Sequence, residues 1–166
     1  MSNQKTKGVT DMKKYLIAGA LAVLVAFPVA SNAMNAKYMF KDSRGRTVYT
    51  IDGDTIQYGK TKIRLLDIDT GEIIKGPHGY KCDAELQSGL KARDRLFQLI
   101  SPPNVFTVKY GKGRDLYGRR LAHVYANHKD AGKILMSEGL AIPYNPRKGD
   151  SKPNHCNAAS HHHHHY

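Results

Sequence analysis

Between Gly45 and Leu66 the chain carries three short segments rich in β-branched and aromatic residues: Thr47 to Ile51, Thr55 to Tyr58 and Thr61 to Leu66. Only Asp52-Gly53-Asp54 and Gly59-Lys60 separate them. Segments of this composition suit a pleated, half-buried surface, and breaks this short leave room for tight turns alone. A three-stranded antiparallel meander follows.

The pattern then changes period. From Asp83 to Ile100 the apolar residues Leu86, Leu90, Phe97 and Ile100 fall near one helical face while Lys91, Arg95 and Gln98 fall elsewhere, which predicts an amphipathic helix. Asp83 and Glu85 stand in its first turn, where the helix dipole favours negative charge, and Pro102-Pro103 end it. Two more strands are expected at Val105 to Tyr110 and Leu121 to Tyr125, joined by a glycine-rich turn from Gly111 to Gly118. A second helix is expected from the cap residue Asp130 to the terminator Gly139. Three strands, helix, two strands, helix is the order of an α+β fold in which a five-stranded barrel of the OB type packs with two or three helices. That architecture commonly holds nucleic acid on one face.

Residues 1–33 stand apart from this pattern. Lys13-Lys14 lead into an apolar run from Tyr15 to Val29 and then Ser31-Asn32-Ala33, the layout of a secretory signal peptide. The run is 15 residues, short of the roughly 20 that a spanning helix needs, so cleavage is expected and an uncleaved anchor is the alternative. Residues 1–11 read either as a polar leader or as a start placed too early. Export to the periplasm or outside the cell follows, with no stable membrane span after cleavage. Removal of residues 1–33 takes away four lysines and one aspartate, so the net charge of +12 falls to +9. A small domain this basic is suited to a polyanion, although anionic membrane surfaces would attract it too.

Cys82 and Cys156 are the two cysteines. Their spacing excludes a zinc knuckle or a CxxC redox pair, and in an oxidising compartment they can join; unpaired thiols are the alternative. Residues 147–166 lack apolar periodicity and are expected to form a flexible tail. It ends in His161 to His165, a purification tag or a low-complexity run to which no chemistry is given. The OB-type domain itself is therefore placed at residues 34–146, and the protein is expected to act as a monomer.

Acids and arginines cluster at the strand edges. Hydrolysis of a phosphodiester gathers negative charge on the equatorial oxygens, so fixed cations are needed around the phosphate. Arg64 and Arg119 suit this because a guanidinium stays protonated and offers paired donors to phosphate. Asp54 and Asp69 offer carboxylate oxygens fitting a hard ion such as Ca²⁺, with other divalent cations as alternatives, and no paired His or Cys nearby suggests zinc. Glu72, three residues past Asp69, can act as general base on a water.

The order and spacing of these residues resemble the staphylococcal nuclease-like (thermonuclease) domain from about Gly45 to Tyr144. The resemblance is carried by Asp52-Gly53-Asp54-Thr55, by Arg64 to Glu72, by Asp115 to Arg119 and by Gly139-Leu140-Ala141. It implies Asp54 and Asp69 as calcium ligands with the backbone carbonyl of Thr70, and Asp52 as a supporting acid. Arg64, Glu72 and Arg119 are implied as catalytic residues, Tyr117 as a contact to a terminal phosphate and Tyr144 as a base-stacking residue. Two departures stand out. Gly71 replaces the usual proline before Glu72, which is expected to free the backbone and loosen the base, and Leu116 stands where a lysine often sits.

The resulting expectation is an exported, calcium-dependent endonuclease that cuts DNA and also RNA with little sequence preference, leaving 3′-phosphate ends. A non-catalytic nucleic-acid-binding OB module is the alternative. Retention of all three acids separates the two, since holding an anion alone does not call for them.

Overall fold

The computed structural model describes residues 36–158. The signal peptide, the polar leader and the histidine run of the sequence reading lie outside the described residues. A short 3-10 turn at Ala36–Tyr38 leads into β1 (Met39–Lys41), followed by β2 (Thr47–Thr50), β3 (Thr55–Tyr58) and β4 (Thr61–Leu65). These strands pair in sequence order, all antiparallel, with Thr55 opposite Arg64 in the β3/β4 register. The meander thus stands where the β-branched segments placed it, with Gly59 in the left-handed conformation at its second turn.

β5 (Ile68–Asp69) leaves the main sheet and pairs later with β9 (Ile142–Pro143), Asp69 opposite Ile142. Helix α1 (Asp83–Ile100) occupies the expected span. β6 (Phe106–Arg114) and β7 (Arg120–Ala126) form a long hairpin, and the short β8 (Lys129–Asp130) pairs with β7. The glycine-rich stretch differs from the expectation of one turn. β6 continues through it to Arg114 with an irregularity between Tyr110 and Arg114, and the reversal itself is only Asp115 to Gly118. Glycine interrupts a strand without ending it when the partner strand keeps supplying hydrogen bonds.

β7 joins the meander by a parallel pairing with β4, so the sheet runs β1-β2-β3-β4-β7-β6. Phe106 on β6 meets Phe40 of β1 and Tyr58 of β3 edge-on, at centroid distances of 5.8 and 5.3 Å. Aromatic packing therefore brings the far strands of the curled sheet together, and the expected OB-type barrel with helices is what forms. Its interior is filled by Val48, Ile56, Ile63, Leu65, Ala122 and Val124, with Leu96 and Ile100 of α1 closing one end.

Helix α2 (Ala131–Ser137) starts at Asp130, whose carboxylate accepts from the Lys133 amide. It ends in a left-handed Gly139 with Leu140 N–H returning to the Leu135 carbonyl at 2.8 Å. This is the arrangement that a glycine two residues past a helix makes cheap. No helix among the described residues is long and apolar enough to cross a membrane.

Two expectations need correction. The buried stripe of α1 is Glu85, Gly89, Ala92, Leu96 and Ile100, and Leu86, Leu90 and Phe97 flank it half-buried. The large side chains mark the shoulders, because small residues take the line of closest approach. A Cβ on Gly89 would stand 2.3 Å from the Gly71 carbonyl oxygen, and one on Gly53 2.5 Å from Ala92 Cβ. The second correction concerns the tail. Residues 147–158 do not hang free: Pro146–Lys148 form a 3-10 turn, Arg147 donates to the Lys112 carbonyl at 2.7 Å, and α3 (His155–Ala158) follows. Cys156 is disulfide-bonded to Cys82, with their Cα atoms 6.0 Å apart. The folded domain therefore extends past residue 146.

Candidate functional site

The turn before β3 sets the first acid. Asp52 Oδ1 accepts from the Asp54 amide at 3.0 Å, closing a side-chain-to-backbone turn that aims the Asp54 carboxylate inward. Asp54 Oδ2 accepts from the amide and hydroxyl of Thr70 at 2.9 and 3.2 Å, and Oδ1 accepts from the Thr55 hydroxyl at 3.1 Å. Asp69, at the end of β5, lies beside the same group because the chain there is pinned by pairing with β9.

Arg64 on β4 spans the two acids. Its Nη1 is 3.1 Å from Asp54 Oδ2 and also donates to the Leu65 carbonyl at 3.0 Å, while Nη2 donates to Asp69 Oδ1 at 2.7 Å. All three side chains are nearly sealed from water. Burial pulls the Arg64 guanidinium down, but the carboxylates of Asp54, Asp69, Asp52 and Glu72 outweigh it and leave it above its ordinary value. Asp52 moves the other way: burial, then repulsion from Asp54, pushes its carboxyl up to about 8 despite the Asp54 amide and Arg64.

Arg119 begins its path at the β6–β7 reversal. Asp115 holds it by a bond from Nε to Oδ2 at 2.6 Å, and Nη1 donates to the Thr55 hydroxyl at 3.1 Å. Thr55 in turn donates to Asp54, so Arg119 is linked to the Asp54–Arg64 cluster through one hydroxyl. Burial pushes Asp115 up, yet the side-chain and backbone donors of Arg119 prevail and hold its carboxyl below the usual value.

Glu72 follows Gly71, where the loop lies directly on α1. A Cβ at residue 71 would stand 2.4 Å from the Glu85 carbonyl oxygen, so the glycine lets backbone meet backbone. The expectation that Gly71 loosens the base is thereby corrected, since glycine here permits a tight approach that proline would obstruct. The loop is held further by buried Glu85, which accepts from the Lys81 amide at 2.7 Å and the Glu72 amide at 3.4 Å. The Glu72 carboxylate is paired with Lys152 Nζ at 2.7 Å. Burial opposes the Lys152 charge, but Glu72, Asp69 and Asp54 raise it overall, which puts all three acids within the field of one ammonium.

The structure thus brings together Asp52, Asp54, Arg64, Asp69 and Thr70, with Glu72 and Arg119 beside them. Tyr117 stays outside the cluster, mostly exposed on the hairpin tip with its ring 5.3 Å from Arg119 Cζ. Tyr144 is half-buried just past β9, its amide donating to the Asp67 carbonyl at 3.1 Å. Three contributors were not legible in advance: Glu85, Lys152 and His155, whose Nε2 lies 2.9 Å from Asp69 Oδ2. The pair of cysteines was the one signal that residues near 155 could return to the helix.

Among the described residues no group of three or more His, Cys, Asp or Glu side chains is arranged to hold a metal ion. A cation here would have the carboxylates of Asp54 and Asp69 to draw on, both within reach of Arg64. Carboxylate oxygens suit a hard divalent ion such as calcium or magnesium.

Residues 62–162 match the family model described as staphylococcal nuclease homologue. The chain belongs to that family. The match opens within β4, so the Asp52 to Thr55 turn precedes it. Among curated proteins the chain is similar to "Endonuclease YhcR" of Bacillus subtilis (strain 168), 39% identical over 101 residues. The aligned part is 57% of this chain and 8% of that protein. It is also similar to "Endonuclease YncB" of the same organism, 36% identical over 97 residues, 55% of this chain and 43% of the relative. The chain therefore spans less than half the length of either relative, and the family's α+β barrel is the part they share.

Proposed function

We propose that this protein is an exported, calcium-dependent endonuclease that hydrolyses phosphodiester bonds in DNA and RNA with little sequence preference, leaving 3′-phosphate ends. The observation that carries this reading is the convergence of Asp54 and Asp69 on Arg64, with Arg119 joined to the cluster through Thr55. Membership of the family and the endonuclease names of two relatives support it. Export is supported by the signal-like N-terminal sequence and by the Cys82–Cys156 disulfide, since such bonds persist in oxidising compartments.

In this reading Asp54, Asp69 and the Thr70 carbonyl hold the cation, and Asp52 supports the turn that presents Asp54. The bound ion supplies Lewis-acid neutralisation of a phosphate oxygen. Arg64 leaves its carboxylate partners for the phosphate, and Arg119, steadied by Asp115, donates from a second direction. Glu72 exchanges Lys152 for a water and takes its proton as the oxygen attacks phosphorus. The bond from phosphorus to the 5′ oxygen breaks, the departing oxygen is protonated from solvent, and the phosphate stays on the 3′ side. Tyr117 and Tyr144 would contact phosphate and base without selecting sequence, because every base has a face to stack on.

The test is incubation of plasmid DNA and of a structured RNA with the full chain, with calcium and with a chelator. Calcium-dependent smearing whose 3′ ends resist polymerase extension until treated with a phosphatase supports the proposal. Retardation without cutting would replace it with the binding module.

A further inference from the structure

Asp69 has both carboxylate oxygens occupied by protein donors, from opposite parts of the chain. Arg64 holds Oδ1 from β4, and His155 Nε2 faces Oδ2 at 2.9 Å from α3. A carboxylate that holds a cation can only accept, so in that state the imidazole nitrogen facing Oδ2 would donate to it. His155 is 4% exposed and Asp69 3%, which makes this a buried contact rather than a surface encounter.

The way His155 is anchored is equally specific. The next residue, Cys156, is bonded to Cys82, the cap residue of α1. One turn into that helix, Glu85 ties down the loop that carries Glu72. The disulfide therefore joins the segment bearing His155 to the element that positions the acids. Lys152, on the same segment, reaches Glu72 with its side chain half in solvent, whereas the His155 side chain is sealed from it.

Carboxylates that bind a cation are themselves oriented by a hydrogen bond to the oxygen facing away from it, and loss of that partner weakens the metal. We propose that His155 is a positioning residue for Asp69, and that the Cys82–Cys156 disulfide is the clasp that holds it in place. With Arg64 drawn to the substrate phosphate, His155 would keep the Asp69 carboxylate from turning. This inference rests on the nuclease reading of the site, and it makes the segment carrying His155 a support for the proposed cation site.

The test compares the full chain with His155→Leu, His155→Gln and the double variant Cys82→Ser/Cys156→Ser. Calcium binding is measured by titration calorimetry without nucleic acid, alongside metal-free melting and the calcium dependence of plasmid cleavage. Loss of the imidazole in His155→Leu is expected to weaken calcium binding about 10- to 100-fold, with cleavage largely recovered at saturating calcium. His155→Gln, which keeps an N–H donor at similar reach, should restore most of the affinity. The double cysteine variant, and the wild type after reduction, should weaken calcium binding in the same direction as His155→Leu. Wild-type calcium affinity in a folded His155→Leu, or faster cleavage once the disulfide is opened, overturns the inference while leaving the nuclease reading intact. A wild-type chain that neither binds calcium nor cuts overturns both. Should His155→Leu fail to fold, wild-type affinity in the reduced protein still overturns the clasp.

Discussion

Arg64 donates through Nη2 to Asp69 Oδ1 across 2.7 Å, and neither side chain has more than a tenth of its surface exposed. The same guanidinium also reaches Asp54, so a single positive group holds two carboxylates that would otherwise repel each other.

Replacing Arg64 by Ala strands both carboxylates away from water. Breaking a buried ion pair from one side costs about 3–5 kcal/mol, so the metal-free variant should melt well below the wild type. Calcium should then raise its melting temperature by more than it raises that of the wild type, because the ion takes over the arginine's electrostatic part. Plasmid cleavage should fall about 100- to 1,000-fold, as for other lost transition-state donors. Melting curves with and without calcium, and cleavage rates, check both effects.

Glu72→Gln removes the proposed base and keeps the shape of the side chain. Turnover should drop by about 100-fold or more while retardation of DNA is preserved. Cleavage at the wild-type rate would show that another group activates the water.

Gly71→Ala forces a methyl group toward the Glu85 carbonyl oxygen and the Gly89 amide nitrogen, 2.4 and 2.9 Å from the added carbon. Over-packing of this kind costs about 1–3 kcal/mol, and here it also pushes Glu72 away from the acids. Gly59→Ala is the contrast: its Cβ meets nothing within 4 Å, and its φ of 57° leaves only left-handed strain of about 1 kcal/mol. Denaturant unfolding and turnover should show Gly71→Ala losing both stability and activity, and Gly59→Ala losing stability alone.

Asp115 gives a pH dependence whose sign follows from its depressed carboxyl. Its ordinary value is 3.8, and the donors of Arg119 hold it lower in the folded protein. The stability it contributes is therefore fully present above its ordinary value and is lost as pH falls through the depressed one. Asp115→Asn should lower stability at neutral pH and flatten the acid limb between about pH 4 and the depressed value, a difference that melting curves at stepped pH would reveal. Turnover should fall with it, because Arg119 loses the group that aims it.

Much of this molecule could be read along the chain. The strands β2, β3 and β4 and the span of α1 come from local causes: β-branched runs, Asp-Gly and Gly-Lys turns, and helical periodicity closed by Pro102. The order of the acids and arginines along the chain suggested that they meet, and the structure brings Asp54 and Asp69 onto Arg64. The face of α1 was not legible, since Gly89 and Ala92 are buried for being small enough to let Gly71 and Gly53 come close.

By itself, then, the sequence determined which elements form and which charged residues stand at their ends, because periodicity, turns and capping act within a few residues. Only the tertiary structure decided that Gly71 is a packing requirement, that Glu85 ties down the loop, and that residues 147–158 fold back to set His155 on Asp69 and Lys152 on Glu72. Those contacts join groups as many as 86 positions apart and have no local signature. They exist because the curled sheet, the helix laid on it and the Cys82–Cys156 bond bring those groups within hydrogen-bonding distance.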